Sequence, residues 1–260
     1  MTNRILTLAY GTASYALFLA VFLYGVGFIG GFLTPTILDG PREGMLIESI
    51  MIDIGLLALF ALQHSVMARP QFKHWWTRYV PQQIERSTYV LFANVALIAL
   101  FALWRPLGGT VWNIENSAGR TAAYALFAIG WLTVLATTFL INHFDLFGLR
   151  QVWLYFRGQP YTSLRFATPG LYRWVRHPLY IGWMIAFWAT PTMTVGHLVF
   201  AAVLTIYMVG AAVIEERDLV VHFGSSYEEY RRSVPMFVPR IAVARGANVK
   251  ANEPEAAAAR

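Results

Sequence analysis

The 260-residue sequence contains no cysteine. This absence excludes disulfides, thiolate metal sites, iron–sulfur clusters and a cysteine nucleophile. Charged residues are also few, at 13% of the chain, whereas a soluble domain carries about 25%. Because so few charges cannot cover a water-exposed surface, the composition argues against a soluble globular protein.

Apolar residues take the place of the missing charges, at 57% of the chain and a mean hydropathy of +0.49. Four apolar stretches have about the length of a membrane-spanning helix, over residues 9–33, 45–67, 88–104 and 121–141. Two further apolar pieces, 179–190 and 195–214, indicate a helical hairpin, and its first arm is short for a span. The sequence therefore predicts an all-α, polytopic membrane bundle of five or six transmembrane helices.

The domain organisation follows from the polar segments. No long polar linker divides the chain, so we expect a single membrane domain over residues 1–240 and a disordered tail over 241–260. If the N-terminus lies inside, most lysines and arginines fall in inside segments, as is usual for cytoplasmic loops. This distribution places both termini, the main loops and the expected active site on the cytoplasmic side.

The most informative motif lies in the last third of the chain. It combines R-H-P-x-Y-x-G over residues 176–182, an apolar hairpin, E-E-R-x-L over 215–219 and F-G-x-x-Y-x-x-Y over 223–230. Each part alone is also typical of an interfacial anchor or of a snorkelling helix end. Acidic residues near hydrocarbon are costly, however, and here two of them face a basic motif across one hairpin, which favours a functional site.

The residue types in this motif match a cationic, amphipathic ligand. A carboxylate can hold an ammonium or sulfonium charge, and arginine or histidine can hold a ligand carboxylate. Tyrosine faces can stack on a base or contact a sulfonium. Because S-adenosylmethionine has all of these groups, we expect a site for this methyl donor beside the hairpin.

The same motif resembles the signature of the isoprenylcysteine carboxyl methyltransferase family and of the related phospholipid N-methyltransferases. The resemblance is specific over residues 168–239. It implies a membrane enzyme that binds S-adenosylmethionine through this segment. The implied cofactor-binding residues are Tyr172, Arg176, His177, Pro178, Tyr180, Gly182, Glu215, Glu216 and Arg217.

A narrower resemblance extends over nearly all of residues 1–240. The segments 63–69 (QHSVMAR), 85–90 (ERSTYV) and 142–151 (NHFDLFGLRQ) are similar to those of the bacterial methanethiol S-methyltransferases, within the broader NnrU-type membrane family. This resemblance implies methylation of methanethiol to dimethyl sulfide in the bacterial inner membrane. It implies a small-molecule thiol substrate, with no nucleic acid and no obligate protein partner.

Methyl transfer to a thiol benefits from a base or a cation, because a thiol is mostly protonated at neutral pH. The candidate bases are His64, His143 and Asp145, and His143 and Asp145 are two residues apart at the end of the fourth apolar stretch. Each of these side chains is equally compatible with a helix cap or a satisfied buried group. The candidate charge stabilisers are Arg69, Arg86 and Arg150.

Other readings remain open at the level of sequence. The substrate could be another thiol, an isoprenylcysteine or a lipid amine. Some NnrU-type relatives are haem-dependent isomerases, and His64 with His143 would then be axial ligands. A non-catalytic membrane scaffold is a third reading, and the complete cofactor signature argues against it.

Overall fold

The computed structural model of the chain describes residues 1–42 and 44–239. Among these residues, five helices are long and apolar enough to cross a membrane, which confirms the predicted all-α polytopic bundle. A helix satisfies its own backbone hydrogen bonds, so apolar segments of this length are stable in hydrocarbon. The five are α1 (Thr2–Gly30), α2 (Leu46–Ala68), α4 (Gln82–Leu103), α5 (Ser117–Ile141) and α9 (Val195–Phe223). The predicted tail over 241–260 lies outside the described residues.

Several of these helices extend beyond the apolar stretches that predicted them. Helix α1 begins at Thr2 and α4 at Gln82, several residues before the apolar stretches at 9 and 88. Helix α9 continues to Phe223, so the two glutamates at 215 and 216 lie inside the helix and not at its end. Hydropathy marks the apolar part of a helix, and polar turns that continue it are invisible to that measure.

The hairpin is formed by the 11-residue helix α8 (Pro178–Trp188) and by α9. Helix α8 is about 16 Å long at 1.5 Å per residue, which is near half of a hydrocarbon core of about 30 Å. Its connection to α9 nevertheless reaches the far end of the bundle. There, strand β2 (Thr192–Thr194) pairs antiparallel with strand β1 (Thr110–Asn113) from the α4–α5 connection.

The path of the chain therefore crosses the described bundle six times, five times as a long helix and once as α8 with the segment that follows it. An even number of crossings returns the first and the last described residues to one end of the bundle. Contacts agree, since the Arg4 guanidinium lies over the Tyr155 ring and the Tyr230 hydroxyl donates to the Tyr172 carbonyl, and both partners belong to the connection between α5 and α8. Of the two predicted counts, five or six, the path of the described chain agrees with six, because the extended residues after α8 complete a crossing that this helix is too short to make alone.

A polar anchor fixes the hairpin turn at the far end. The buried His197 ring lies 2.9 Å from Asp39 Oδ2 through Nδ1 and 2.8 Å from the Phe187 carbonyl oxygen through Nε2. The Thr194 hydroxyl donates to Asp39 Oδ1 at 2.6 Å and accepts the His197 N–H at 3.1 Å, which caps α9. These bonds join the α1–α2 connection to the hairpin and hold α9 in register.

Two glycines set the close packing of α8 on α5. A Cβ atom on Gly182 would lie 2.9 Å from Val134 N and 3.0 Å from Gly130 O. A Cβ atom on Gly130 would lie 2.6 Å from Ala186 N. Small residues let helix backbones approach in this way in membrane bundles, so this contact positions the start of α8 against the bundle.

The remaining short helices collect at the end of the bundle that carries both chain ends. They are α3 (Pro70–Trp76), α6 (His143–Leu146), α7 (Leu149–Phe156), the 3₁₀ helix Gly170–Arg173 and α10 (Ser225–Ser233). The predicted functional residues lie on these elements, on the segments that join them, on α8 or on the nearby turns of the long helices. We call this end of the molecule the polar end.

Candidate active site

A buried ionic network joins the start of α8 to α9. Arg176 donates to Glu216 through Nε at 2.6 Å and through a second guanidinium nitrogen at 3.1 Å, and His177 Nε2 lies 3.0 Å from the same carboxylate. The side chains of Arg176 and Glu216 are only 10% and 7% exposed. Buried charges are tolerated when they are paired and hydrogen-bonded, so Glu216 is fully engaged within the protein.

Arg176 also binds the end of α10 and the segment that follows it. Its guanidinium donates to the carbonyl oxygens of Arg231 at 2.9 Å and Val234 at 2.5 Å. The backbone N–H of Arg176 donates to the Pro235 carbonyl at 2.9 Å, and that of His177 to the Met236 carbonyl at 3.2 Å. Arg176 and Glu216 therefore form the structural centre of the motif and have little capacity left for a ligand.

Glu215 differs from its neighbour. Its side chain is 47% exposed, and it accepts a hydrogen bond from the Tyr180 hydroxyl at 2.9 Å. The ring of His177 stacks on the ring of Tyr180, with their centroids 5.3 Å apart. A carboxylate has about four acceptor positions, so Glu215 can accept further donors from a cationic ligand.

Tyr172 completes the surroundings of Glu215. Burial, and secondarily the Glu215 carboxylate, raise the pKa of the Tyr172 phenol, which places this side chain within electrostatic range of Glu215. The Tyr172 carbonyl accepts a hydrogen bond from the Tyr230 hydroxyl at 2.6 Å, and this bond fixes the 3₁₀ turn. We refer to Tyr172, His177, Tyr180 and Glu215 as the Glu215 cradle.

Three other residues of the predicted cofactor set have different surroundings. Gly182 faces α5, where its missing side chain admits a helix backbone and not a ligand. Pro178 is buried at the first position of α8, where its lack of an N–H costs no helical hydrogen bond. Arg217 is exposed, because residues adjacent to Glu216 on a helix point about 100° away from it.

His143 is enclosed between α1 and α5. Its Nδ1 lies 2.8 Å from the Thr138 hydroxyl and its Nε2 lies 2.7 Å from the Tyr15 hydroxyl. The ring stacks on Phe139 with a centroid separation of 4.2 Å. Burial lowers the pKa of His143, so the neutral imidazole is favoured at pH 7.

Asp145 has its own partners, and the expected His143–Asp145 pair is not formed. Its carboxylate accepts from Arg150 at 2.9 Å and from the Tyr161 hydroxyl at 3.2 Å. Arg150 also donates to the hydroxyl and the carbonyl of Thr162 at 2.8 and 2.9 Å. The two side chains diverge because both lie in α6, where positions two apart differ by about 200° in direction. Asp145 and Arg150 thus tie α6 and α7 to the following loop.

His64 lies on α2, next to α4. The Tyr89 hydroxyl is 2.9 Å from His64 Nδ1 and 3.0 Å from Nε2. Nearby, the Ser65 hydroxyl lies 3.0 Å from the Tyr207 hydroxyl of α9. These contacts give α2, α4 and α9 a shared polar surface at the polar end of the bundle.

Sequence reasoning missed Tyr207 and gave no role to Tyr89. Tyr207 lies in an apolar stretch, where an aromatic residue resembles core or an interfacial anchor. Its spacing of eight residues from Glu215 was the available signal, because positions separated by seven or eight share a helix face. The Tyr180 hydroxyl lies within electrostatic range of Tyr207 and Tyr89 as well as Glu215.

A cavity of about 380 Å³ opens beside the first turns of α4, and we call it the polar cavity after the residues that line it. It lies between α3, the first turns of α4 and the segment from α7 to Tyr161, and its lining includes Lys73, Glu85, Arg86, Gln151, Tyr155 and Tyr161. Of the aromatic residues in the 142–176 region, Tyr155 and Tyr161 face this cavity. Most of the residues that line the cavity are polar or charged, so it differs from an ordinary packing defect in an apolar core.

These features define a class of protein: a multi-pass membrane protein with a charged, tyrosine-lined cradle at the end of the bundle that carries both chain ends. The model of the family described as Protein of unknown function (DUF1295) matches residues 62–234. Within residues 1–42 and 44–239, no group of three or more His, Asp or Glu side chains is placed to hold a metal ion.

Known relatives specify the family further. The chain is 56% identical to a methanethiol S-methyltransferase of Crocosphaera subtropica, over 92% of this chain and 94% of the relative. It is 52% identical to a methanethiol S-methyltransferase of Mycobacterium tuberculosis, over 91% and 97% of the two chains. Nurim from Bos taurus is more distant, at 28% identity over 68% of this chain and 71% of the relative. No solved structure matches the chain. The chain belongs to the methanethiol S-methyltransferase family.

Proposed function

We propose that this protein is an S-adenosylmethionine-dependent methyltransferase that converts methanethiol to dimethyl sulfide. The printed names of the relatives supply the reaction, and they cover more than nine-tenths of the chain. The structural observation that carries the proposal is the Glu215 cradle. It presents a partly exposed carboxylate and two tyrosine rings at the one place where the basic and acidic motifs meet.

The Glu215 cradle fits a methyl donor that carries positive charge. Glu215 has free acceptor capacity for an ammonium or a hydroxyl group, and aromatic faces attract a sulfonium by cation–π interaction. Tyr172, Tyr180 and Glu215 would hold the donor, while Arg176 and Glu216 fix the backbone that carries them. When bound, S-adenosylmethionine supplies an electrophilic methyl group on a positively charged sulfur.

The protein's own task is to place a thiolate in line with that methyl group. Orientation of two reactants can supply about 7–11 kcal/mol of barrier reduction. The polar surface formed by His64, Tyr89 and Tyr207 lies beside the Glu215 cradle, since Tyr180 is within electrostatic range of both tyrosines. We place the thiol on this surface, where His64 and Tyr89 orient it.

The other predicted catalytic residues receive positioning roles in this proposal. Both ring nitrogens of His143 already have hydroxyl partners, and Asp145 and Arg150 are paired with each other. Their bonds hold α6 and α7 beside α1 and α4. The same partners argue against a haem site, since His64 and His143 face protein hydroxyls on separate helices.

The positive-inside rule supports a cytoplasmic position for the polar end. That end contains the connections after α2 and α5 and the segment after α9, which hold most of the basic residues among those described. We therefore propose a bacterial cytoplasmic membrane protein whose two chain ends and Glu215 cradle face the cytoplasm.

Headspace gas chromatography tests the proposal. Purified protein in detergent receives S-adenosylmethionine with methanethiol, a longer alkanethiol, or a prenylated cysteine in parallel. We expect dimethyl sulfide to form and the longer substrates to react more slowly. Glu215→Gln should abolish product formation, whereas Glu229→Gln, which removes an exposed carboxylate at the same end, should not. Failure of the wild-type protein to exceed a donor-free control would reject methanethiol as substrate.

A further inference from the structure

The three arginines predicted as charge stabilisers, Arg69, Arg86 and Arg150, differ in whether a carboxylate pairs with them. Arg69 pairs with Asp218 at 2.8 Å and Arg150 with Asp145 at 2.9 Å. Among the residues that the structure describes, Arg86 has no carboxylate within ion-pair distance, and its buried Nε has no hydrogen-bond partner. An unpaired guanidinium nitrogen in a buried position is costly unless a ligand or water satisfies it.

The unsatisfied nitrogen of Arg86 is not isolated. Seven buried side-chain nitrogen or oxygen atoms lack a partner within residues 1–42 and 44–239. Five of the seven belong to the corner where α2, α3, α4 and α7 meet. They are on Gln63, Trp76, Arg86, Ser87 and Gln151. Such a concentration of unsatisfied polar atoms indicates a binding site for a polar ligand.

Arg86 also stands between the polar cavity and the candidate thiol surface. It lines the cavity of about 380 Å³, and its guanidinium lies 5.8 Å from the centre of the Tyr89 ring. The Tyr89 hydroxyl contacts His64 and is within electrostatic range of both Arg86 and Glu215. The cation therefore lies on the same polar surface as the groups assigned to the thiol and the donor.

Lys73 is a second cation in the lining of the polar cavity, beside Arg86. Burial, together with the charges of Arg86 and Arg69, lowers the pKa of Lys73, and Glu85 partly opposes that shift. Arginine is not deprotonated in proteins. Arg86 is thus a permanent positive charge that, unlike Arg69, has no carboxylate partner among the described residues.

We propose that Arg86 stabilises the thiolate of the substrate. Methanethiol binds as the neutral thiol, its S–H bond breaks, and the proton passes to water in the open cavity. The electron pair stays on sulfur, facing the Arg86 guanidinium. This inference rests on the proposed function, because it assigns a residue to the nucleophile of that reaction.

Other charged or titratable groups face Arg86 from the elements around it, and each is a potential contributor to a pH profile. They are His64 from α2, Lys73 from α3, Glu85 and Tyr89 on α4 itself, Tyr155 from α7, and Tyr161 from the loop after α7. A direct measurement on the thiol sulfur avoids confusion with the titration of these groups.

Carbon-13 NMR of labelled methanethiol provides that measurement without the methyl donor. The methyl shift of the bound ligand distinguishes thiol from thiolate during a pH titration. An opposite charge within about 4–6 Å lowers a pKa by about 1–3 units, so Arg86→Met should raise the apparent pKa of the bound thiol by that amount. Arg86→Lys should preserve most of the wild-type value. Arg78→Met, which removes an exposed cation from the same end, should not change it.

Turnover gives a second readout. At saturating thiol and neutral pH, Arg86→Met should lose at least tenfold in kcat, and the loss should shrink as the pH rises towards full ionisation of the thiol. A more acidic thiol, trifluoroethanethiol, should be methylated by the variant at nearly the wild-type rate. Identical thiol titrations in the wild-type protein and Arg86→Met would overturn the inference. If the wild-type protein and Arg86→Met titrate as expected but no dimethyl sulfide forms, the proposed function is overturned, and the effect of Arg86 on the bound thiol is still supported.

Discussion

Removing the charge of Glu216 should lower the stability of the protein, whereas removing the charge of Glu215 should impair ligand binding with little effect on stability. Glu216→Gln leaves Arg176 buried beside a neutral amide, and breaking one partner of a buried ion pair costs about 3–5 kcal/mol. Arg176 and Glu216 are each no more than one-tenth exposed and share two hydrogen bonds, at 2.6 and 3.1 Å, so the full penalty applies. Glu215→Gln removes a carboxylate that is 47% exposed, and its effect on stability should be below 1 kcal/mol.

Thermal unfolding of the two variants in detergent micelles, with and without S-adenosylhomocysteine, measures the difference. At about 2–4 °C per kcal/mol for a chain of this size, Glu216→Gln should lower the unfolding temperature by about 6–20 °C. Glu215→Gln should unfold near the wild-type temperature and lose the stabilisation that the ligand gives to the wild-type protein. A Glu216→Gln variant as stable as the wild type, or a Glu215→Gln variant with an unchanged ligand response, would refute this division of roles.

Three further outcomes follow from the described contacts. Gly182→Ala forces a Cβ atom against the α5 backbone and should destabilise the protein by about 1–3 kcal/mol; Gly210→Ala, which meets open space in α9, is the matched control and should be neutral or slightly stabilising in the same thermal assay. Burial lowers the pKa of His143, so the unfolded chain binds its proton first; the unfolding temperature should fall as the pH drops below about 6.5, and His143→Gln should show a shallower fall, whereas an unchanged slope would contradict it. Thr194→Ala removes the α9 cap and its bond to Asp39 and should cost about 0.5–2 kcal/mol while leaving ligand affinity at the opposite end unchanged, as measured by calorimetry.

Much of the fold was predictable because apolar length is a direct consequence of the bilayer. The four stretches at 9–33, 45–67, 88–104 and 121–141 all correspond to long helices. The β1–β2 ribbon was not predicted, since its strands have four and three residues and no periodicity can be read from so few positions. The depth of the hairpin also escaped prediction, because it depends on this ribbon and on the His197–Asp39 contact between distant segments.

The candidate site was predictable as a set of residues but not as a set of roles. The motifs placed Arg176, His177, Glu215 and Glu216 together, and the structure brings them into contact. The glutamate that faces the bundle forms the buried ion pair. Adjacent helical positions differ by about 100° in direction, so only one of the two can do so. The apolar residues before Glu215 surround α9 on all sides, so composition does not indicate which of its faces packs against the bundle.

The arginines illustrate the same limit. Arg69, Arg86 and Arg150 are equivalent in sequence as basic residues near the polar end of the bundle. Their difference lies in the partners that the fold supplies. Arg69 pairs with Asp218, which is far away in sequence, and Arg150 binds Asp145 and Thr162 on either side of α7. Of these three arginines, only Arg86 has a buried guanidinium nitrogen without a hydrogen-bond partner, and this difference appears only in the folded structure.

The central claim is that the protein moves a methyl group from a sulfonium donor to methanethiol. Its most direct test supplies S-adenosylmethionine with a trideuterated methyl group and unlabelled methanethiol to the purified protein, followed by mass spectrometry of the headspace. We predict dimethyl sulfide that carries one CD₃ and one CH₃ group, formed in equal amount with S-adenosylhomocysteine. Unlabelled dimethyl sulfide, or consumption of the donor without a labelled volatile product, would contradict it.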